Sequence, residues 1–199
     1  MNDDLRWELE NEKIVKTGHF RLTSGRHSDT YIQKDMILHY PNITNNICYA
    51  MYKKMVTISD VARPIITAPI MGAVSIASMI ARQANLPFVY PEKIDTHLEF
   101  RRGFDKFIHG RNVIIIEDII TTGGSVLKLI DAVEECNGHV QAVVCIWNRQ
   151  GFKPKDEIRF LPVIDQRVLS YKDKDDCPYC IKGMPLTDPK TEKIIEEPK

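Results

Sequence analysis

The chain has 199 residues, 43% hydrophobic and 27% charged, which fits one large domain, or a domain with a short appendage, able to bury a core. Its 27 Lys and Arg against 27 Asp and Glu give a formal net charge of +0. That balance excludes a protein whose main task is to coat nucleic acid or an anionic membrane, while leaving room for a local anion pocket. No apolar run is long enough to cross a bilayer, and the start Met1-Asn2-Asp3-Asp4 is polar and acidic. A cytoplasmic protein with neither membrane nor nucleic-acid partners is expected.

In chain order, Asp3 or Asp4 caps a helix through Leu5, Leu9 and Ile14, with Gly18 beyond its end. Tyr31 to Met36 reads as a strand. Asn42 opens a helix with Ile43, Ile47, Ala50 and Met51 on one face. The apolar run Ile65 to Ala68 precedes a helix from Gly72 to Ala84, and Phe88-Val89-Tyr90 reads as a short strand. Pro91 to Gly110 is the long polar stretch, carrying Lys93, His97, Arg101, Arg102, Lys106 and His109; its length marks a functional loop or a disordered one. Val113 to Ile116 has the continuous β-branched character of a buried central strand. A helix from Ser125 to Cys136 ends at Asn137-Gly138, and Val140 to Trp147 is another buried strand. The segment after Pro162 is charged and is expected to be peripheral. Alternating strands and helices imply a mainly parallel sheet flanked by helices, with ligands beyond the carboxyl ends of the strands.

Among the five cysteines, Cys48, Cys136 and Cys145 lie in apolar surroundings and read as core thiols. Cys177-Pro-Tyr-Cys180 sits in a polar tail. A four-thiolate zinc site needs two such pairs and the chain has one, so a structural turn is the favoured reading, with metal binding or redox work the lesser alternative.

The chemistry concentrates at Glu117-Asp118-Ile119-Ile120-Thr121-Thr122-Gly123-Gly124-Ser125, between the apolar strand and the next helix. Thr121 to Ser125 can turn successive amides and hydroxyls toward an anion at the helix amino end. Two carboxylates beside a phosphate cradle would repel it unless they serve another part of the same ligand. Vicinal hydroxyls accept that role, so a phosphate joined to a ribose diol is the economical ligand. Neither G-x-x-x-x-G-K-[ST] nor G-x-G-x-x-G occurs.

This segment resembles the phosphoribosyl pyrophosphate signature of type I phosphoribosyltransferases. Gly18 to Ser28 with Tyr31 resembles the amino-terminal hood of the orotate phosphoribosyltransferases. Ala68-Pro69-Ile70-Met71-Gly72-Ala73 resembles their pyrophosphate loop, and Leu98 to Phe104 the connection after their lid. The resemblance implies an α/β type I phosphoribosyltransferase fold over 1–165, with a hood over about 1–40 and a peripheral tail over 166–199. It implies transfer of phosphoribosyl from phosphoribosyl pyrophosphate to orotate, giving orotidine monophosphate and pyrophosphate in de novo pyrimidine synthesis. Alternatives are another acceptor base and a non-catalytic regulator that binds the donor.

The implied roles follow the matching positions. Glu117, Asp118, Ile119, Ile120, Thr121, Thr122, Gly123, Gly124, Ser125, Met71, Gly72 and Lys93 bind the donor. Thr121, Arg149, Tyr31, Ile32, Ser24 and Gly25 bind orotate, and Lys93, Asp118 and His97 act in catalysis. Magnesium is implied as a cofactor held mainly by the ligand, without a dedicated protein cage. A homodimer whose lid reaches the neighbouring site is implied as well. Bland readings stay open: His97 as a solvated loop residue, Ile32 as core, Arg101 and Arg102 as structural, and Arg149 paired with Asp165. The chain departs from the family pattern at Thr23, Met71-Gly72, Glu92 and Asn148.

Overall fold

A computed structural model describes residues 2–58 and 60–195. Met1, Ser59 and 196–199, which the expected domain ranges include, lie outside the described residues, as does the side chain of Asp3 with its expected cap. The elements in chain order begin with α1 (Asn2–Asn11), β1 (Val15–Arg21), β2 (His27–Ile32), a 3-10 helix (Lys34–His39), α2 (Pro41–Met55), β3 (Ile65–Thr67) and α3 (Val74–Ala84). They continue with β4 (Glu92–Ile94), β5 (His97–Glu99), α4 (Phe104–Ile108), β6 (Asn112–Ile120), α5 (Gly124–Glu135), β7 (His139–Asn148), β8 (Arg159–Asp165), β9 (Ser170–Tyr171) and α6 (Pro178–Ile181). The chain divides into two units, 40–166 and 3–39 with 167–199.

In the larger unit, β3, β6, β7 and β8 form a four-stranded parallel sheet in the order β3-β6-β7-β8. The central strands are buried on both faces, so their sequences are nearly unbroken runs of Val, Ile and Ala rather than alternating ones. Val113 and Ile115 of β6 pack with Val143 and Cys145 of β7 against Val126, Leu129, Ile130 and Val133 of α5. Helices α2 and α3 pack against the sheet as well, α2 on β7 and β8, α3 on β3 and β6. Asn85 closes α3 in the left-handed conformation (φ 53°), a role asparagine fills when glycine is absent.

Several boundaries differ from the sequence expectation. Phe88 to Tyr90 makes only a bridge, Phe88 to Ile66. The polar stretch 91–110 is folded: β4 and β5 form an antiparallel hairpin and α4 follows. Leu98 and Phe100, buried in the core, anchor that stretch to the body. Strand β8, expected to be peripheral past Pro162, is the edge of the sheet with Val163 and Ile164 buried. An edge strand tolerates the missing N–H of Pro162.

In the smaller unit, α1 stops at Asn11 and not at Ile14. Lys13 takes a positive φ (57°), the chain turns, and Ile14 and Val15 are buried at the start of the hairpin. Gly18, expected beyond the helix, lies inside β1. The strand expected at Tyr31 to Met36 is instead β2, ending at Ile32 and followed by the 3-10 helix. Strands β1 and β2 pair antiparallel, with an irregularity between Thr17 and Phe20, and β9 of the tail adds to β2. The tail is tied in by Arg26 Nη2 donating to the Ser170 carbonyl (2.7 Å) and by Ser28 Oγ donating to that of Leu169 (2.7 Å).

Candidate active site

Strand β6 carries its acidic pair toward its carboxyl end, after the apolar run Val113 to Ile116 and before Ile119 and Ile120. Glu117 and Asp118 are 7% and 4% exposed. Each carboxylate is oriented by backbone: Glu117 Oε1 accepts from the Asp118 amide (2.9 Å) and Asp118 Oδ1 from that of Ile119. The chain then turns through Thr121 and Thr122 to Gly123, which takes φ 79° and starts α5. A side chain at Gly123 would place its Cβ 2.0 Å from Phe152 Cε2, so both the dihedral and the space demand glycine.

The turn borders a cavity of about 340 Å³ lined by Glu117, Ile119 to Val126 and Lys128. Its walls combine the amino end of a twelve-residue helix, hydroxyls, a carboxylate and an ammonium. The free amides of the first helical turn and the macrodipole favour an anion there, and Glu117 offers acceptors for hydroxyl groups on the same ligand. Sequence reasoning missed Lys128. It stands three residues after Ser125, one turn along α5, and that spacing is the signal that could have found it. Phe152, which closes over Gly123, carries no such signal.

The other expected residues do not line this cavity. Lys93 is exposed on β4, in register with Leu98. His97 on β5 is hydrogen-bonded to Glu99 Oε1 (2.8 Å), and Arg101 Nε donates to Glu99 Oε2 (2.8 Å). These two neighbours, His97 first, hold the Glu99 carboxyl below its usual range. Arg102 Nε donates to Glu92 Oε1 (2.6 Å). Met71 is 80% exposed in the loop after β3, where the Ile70–Met71 peptide is cis.

Arg149 follows β7, its amide donating to the Ile120 carbonyl (3.0 Å), so it stands beside the end of β6. Arg149 is half-buried, and burial lowers its pKa, with no carboxylate opposing it among the described residues. Asp165, its partner in the bland reading, accepts from Asn148 Nδ2 (2.9 Å). Asn148 also donates to the Phe152 carbonyl (3.1 Å) and accepts the Phe152 amide (3.0 Å), so it fixes the loop that carries Phe152.

Ser24, Gly25, Tyr31 and Ile32 belong to the smaller unit. Gly25 (φ 80°) makes the β1–β2 turn next to Ser24, and Tyr31 lies against Phe20 with ring centroids 6.2 Å apart. Ile32 is buried, 7% exposed.

Residues 105–170, which contain β6, the turn, α5 and β7, match the family model described as Phosphoribosyl transferase domain. An orotate phosphoribosyltransferase of Mycobacterium tuberculosis, solved in complex with inorganic phosphate, shares the fold with a TM-score of 0.61 at 22% identity, over 82% of this chain and 94% of the other. The fold is thus that of the type I phosphoribosyltransferases. Two relatives narrow this. The orotate phosphoribosyltransferase of Caldicellulosiruptor saccharolyticus is 36% identical over 179 residues, covering 89% of this chain and 90% of its own. That of Caldicellulosiruptor bescii is 35% identical over 194 residues, covering 97% and 100%. The chain belongs to the orotate phosphoribosyltransferase family.

Proposed function

We propose that this chain transfers the phosphoribosyl group of phosphoribosyl pyrophosphate to orotate, giving orotidine monophosphate and pyrophosphate in de novo pyrimidine synthesis. The observation that carries the reading is one cavity holding both the amide-rich Thr121 to Ser125 turn and the Glu117 carboxylate. The turn suits the 5-phosphate of the donor, and the carboxylates of Glu117 and Asp118 suit its ribose diol. Ile119 and Ile120 contribute backbone, and Lys128 adds a cation on the phosphate side.

Reaction at the anomeric carbon passes through an oxocarbenium-like state, as glycosyl chemistry generally does. Carboxylates beneath the ribose favour that developing positive charge. The leaving pyrophosphate needs cations and donors: Lys93 and His97 of the hairpin, with the exposed backbone at Met71 and Gly72, are assigned to it. Arg149 is assigned to the orotate carboxylate. Its planar fork suits a bidentate pair, and a half-buried guanidinium without an opposing carboxylate has desolvation to offset by binding an anion. Thr121 is assigned to the base side as well. A closed lid excludes water that would otherwise capture the donor carbon.

Magnesium fits this donor set. Among the described residues no group of three or more carboxylates stands at β6, so the ion would be held mainly by pyrophosphate and the diol, with Glu117 and Asp118 behind them. When bound it neutralises charge on the leaving group. A cytoplasmic homodimer sharing its lids is part of the same proposal; no helix among the described residues is long and apolar enough to cross a membrane.

The test is pyrophosphate release from the donor with orotate and with a panel of purines and other pyrimidines. Release with orotate alone, lost on chelating magnesium, is the expected result. Release only with a different base would move the acceptor assignment. Donor binding without turnover on any base would make the chain a non-catalytic regulator.

A further inference from the structure

Two histidines of the β1–β2 hairpin face the two cysteines of the tail. His19 is 3% exposed, His27 0% and Cys177 0%, and Cys180 is part-buried. Their ligand atoms all lie within 4.8 Å of one another. His19 Nε2 is 3.4 Å from Cys177 Sγ, 3.6 Å from Cys180 Sγ and 3.4 Å from His27 Nδ1, while His27 Nδ1 is 3.3 Å from Cys180 Sγ. A zinc ion at about 2.3 Å from sulfur and about 2.0–2.1 Å from nitrogen, coordinated tetrahedrally, sets its ligands roughly 3.3–3.8 Å apart. These four ligand-to-ligand distances fall in that interval.

The local structure also prepares the ligands. The β-irregularity after Thr17 buries the consecutive residues His19 and Phe20, where a regular strand would turn one of them outward. His19 Nδ1 lies 3.0 Å from the Met184 carbonyl, which can only accept. In the neutral ring a proton on Nδ1 leaves the Nε2 lone pair toward the cysteines, the second-sphere arrangement that orients a metal-bound histidine. Cys177 is the N-cap of α6 and Cys180 lies within it, with the Ile181 amide donating to the Cys177 carbonyl (3.1 Å), a turn that brings both sulfurs to His19. Both are thiols and not half-cystines.

We propose that His19, His27, Cys177 and Cys180 form a structural zinc site that staples the carboxy-terminal tail to the amino-terminal hairpin. Four protein ligands fill a tetrahedral shell and leave no position for substrate, so the site is structural and not catalytic. Its reason lies in the unit it joins: residues 3–39 and the tail from Arg167 come from opposite ends of the chain and form one small compact unit, the situation in which natural folds add metal or disulfide staples. The Cys-Pro-Tyr-Cys turn is thus half of a site whose other half is histidine. The proposal is independent of the transferase reading.

The test uses the full chain, purified under reducing conditions without added metal. Zinc quantified by mass spectrometry should be stoichiometric and survive gel filtration. Cobalt exchanged into the site should give the intense visible bands of tetrahedral geometry and near-ultraviolet thiolate charge transfer. Cys180→Ser and His27→Ala should each lose the metal, while Cys136→Ser, outside the cluster, should retain it. If the ligand variants fail to fold, stripping zinc from the unmodified chain with a chelator answers the same question. The melting temperature should fall and recover on adding zinc back. Metal-free protein that takes up neither zinc nor cobalt, or variants that bind them undiminished, would overturn the site, and so would a melting temperature indifferent to stripping.

Discussion

Lys128 Nζ donates to the Thr96 carbonyl at 2.8 Å, joining the first turns of α5 to the tip of the β4–β5 hairpin. The same lysine lines the cavity at the β6–α5 turn. Its ammonium has three donors, so it can keep that carbonyl and still meet an anion in the cavity. Lys128→Met should raise KM for phosphoribosyl pyrophosphate about 10-fold, in line with hydrogen bonds to charged groups worth about 1.5–3 kcal/mol, with a smaller change in kcat. Steady-state kinetics with the donor varied check this; an unchanged KM would leave Lys128 as a tether only.

Arg149→Ala should lower kcat/KM for orotate steeply, with a truncation cost of about 2–5 kcal/mol if the guanidinium meets the carboxylate of the base. Affinity for the donor alone, measured by calorimetry, should stay close to that of the unmodified chain. Unchanged orotate kinetics would remove Arg149 from the base site.

Asp118→Asn keeps the oxygen that accepts the Ile119 amide but removes the charge. Transfer should fall roughly 10²–10³-fold, the scale seen when one preorganised electrostatic group is removed, while the melting temperature shifts little. Comparable losses in both would mark a structural carboxylate.

Gly123→Ala must force a Cβ into the Phe152 ring at a φ of 79°. The variant should unfold at lower urea concentration, by at least about 1–3 kcal/mol, and lose donor binding as the turn shifts. Adding Phe152→Ala should restore room for the Cβ without removing the dihedral strain, so recovery should be partial.

Alkaline pH should weaken the larger unit, in which Cys48 and Cys145 are buried. Burial pushes the Cys48 thiol from 9.0 to about 11 and the Cys145 thiol higher still, with nearby Glu117 and Asp165 adding to the latter. A raised pKa means that the folded chain holds the proton when the unfolded chain releases it. This contribution is complete below about pH 9 and lost progressively as pH rises toward 11. Urea unfolding should show a falling stability across that window, reduced in Cys48→Ala; a flat profile would mean that Cys48 ionises alike in both states.

Legibility followed sequence separation. The apolar strand, acidic pair, turn and helix from Val113 to Cys136 are contiguous, so their periods and spacing sufficed to locate the cavity. The polar stretch 91–110 read as a functional or disordered loop because its two strands have three residues each, too few to show a period. Ile14 followed the spacing of Leu5 and Leu9, yet it is buried where β1 begins, because a turn at Lys13 redirects the chain.

By itself the sequence determined the α/β class and the strand, turn and helix that border the cavity at β6, since these depend on neighbours within a few residues. Tertiary structure alone decided that Arg149 is left without the carboxylate of Asp165, and that His19 meets Cys177 from 158 positions away along the chain. Such meetings depend on strand pairing and on the path of the tail, and a pattern of residues along one line holds no record of which distant side chains burial will force together.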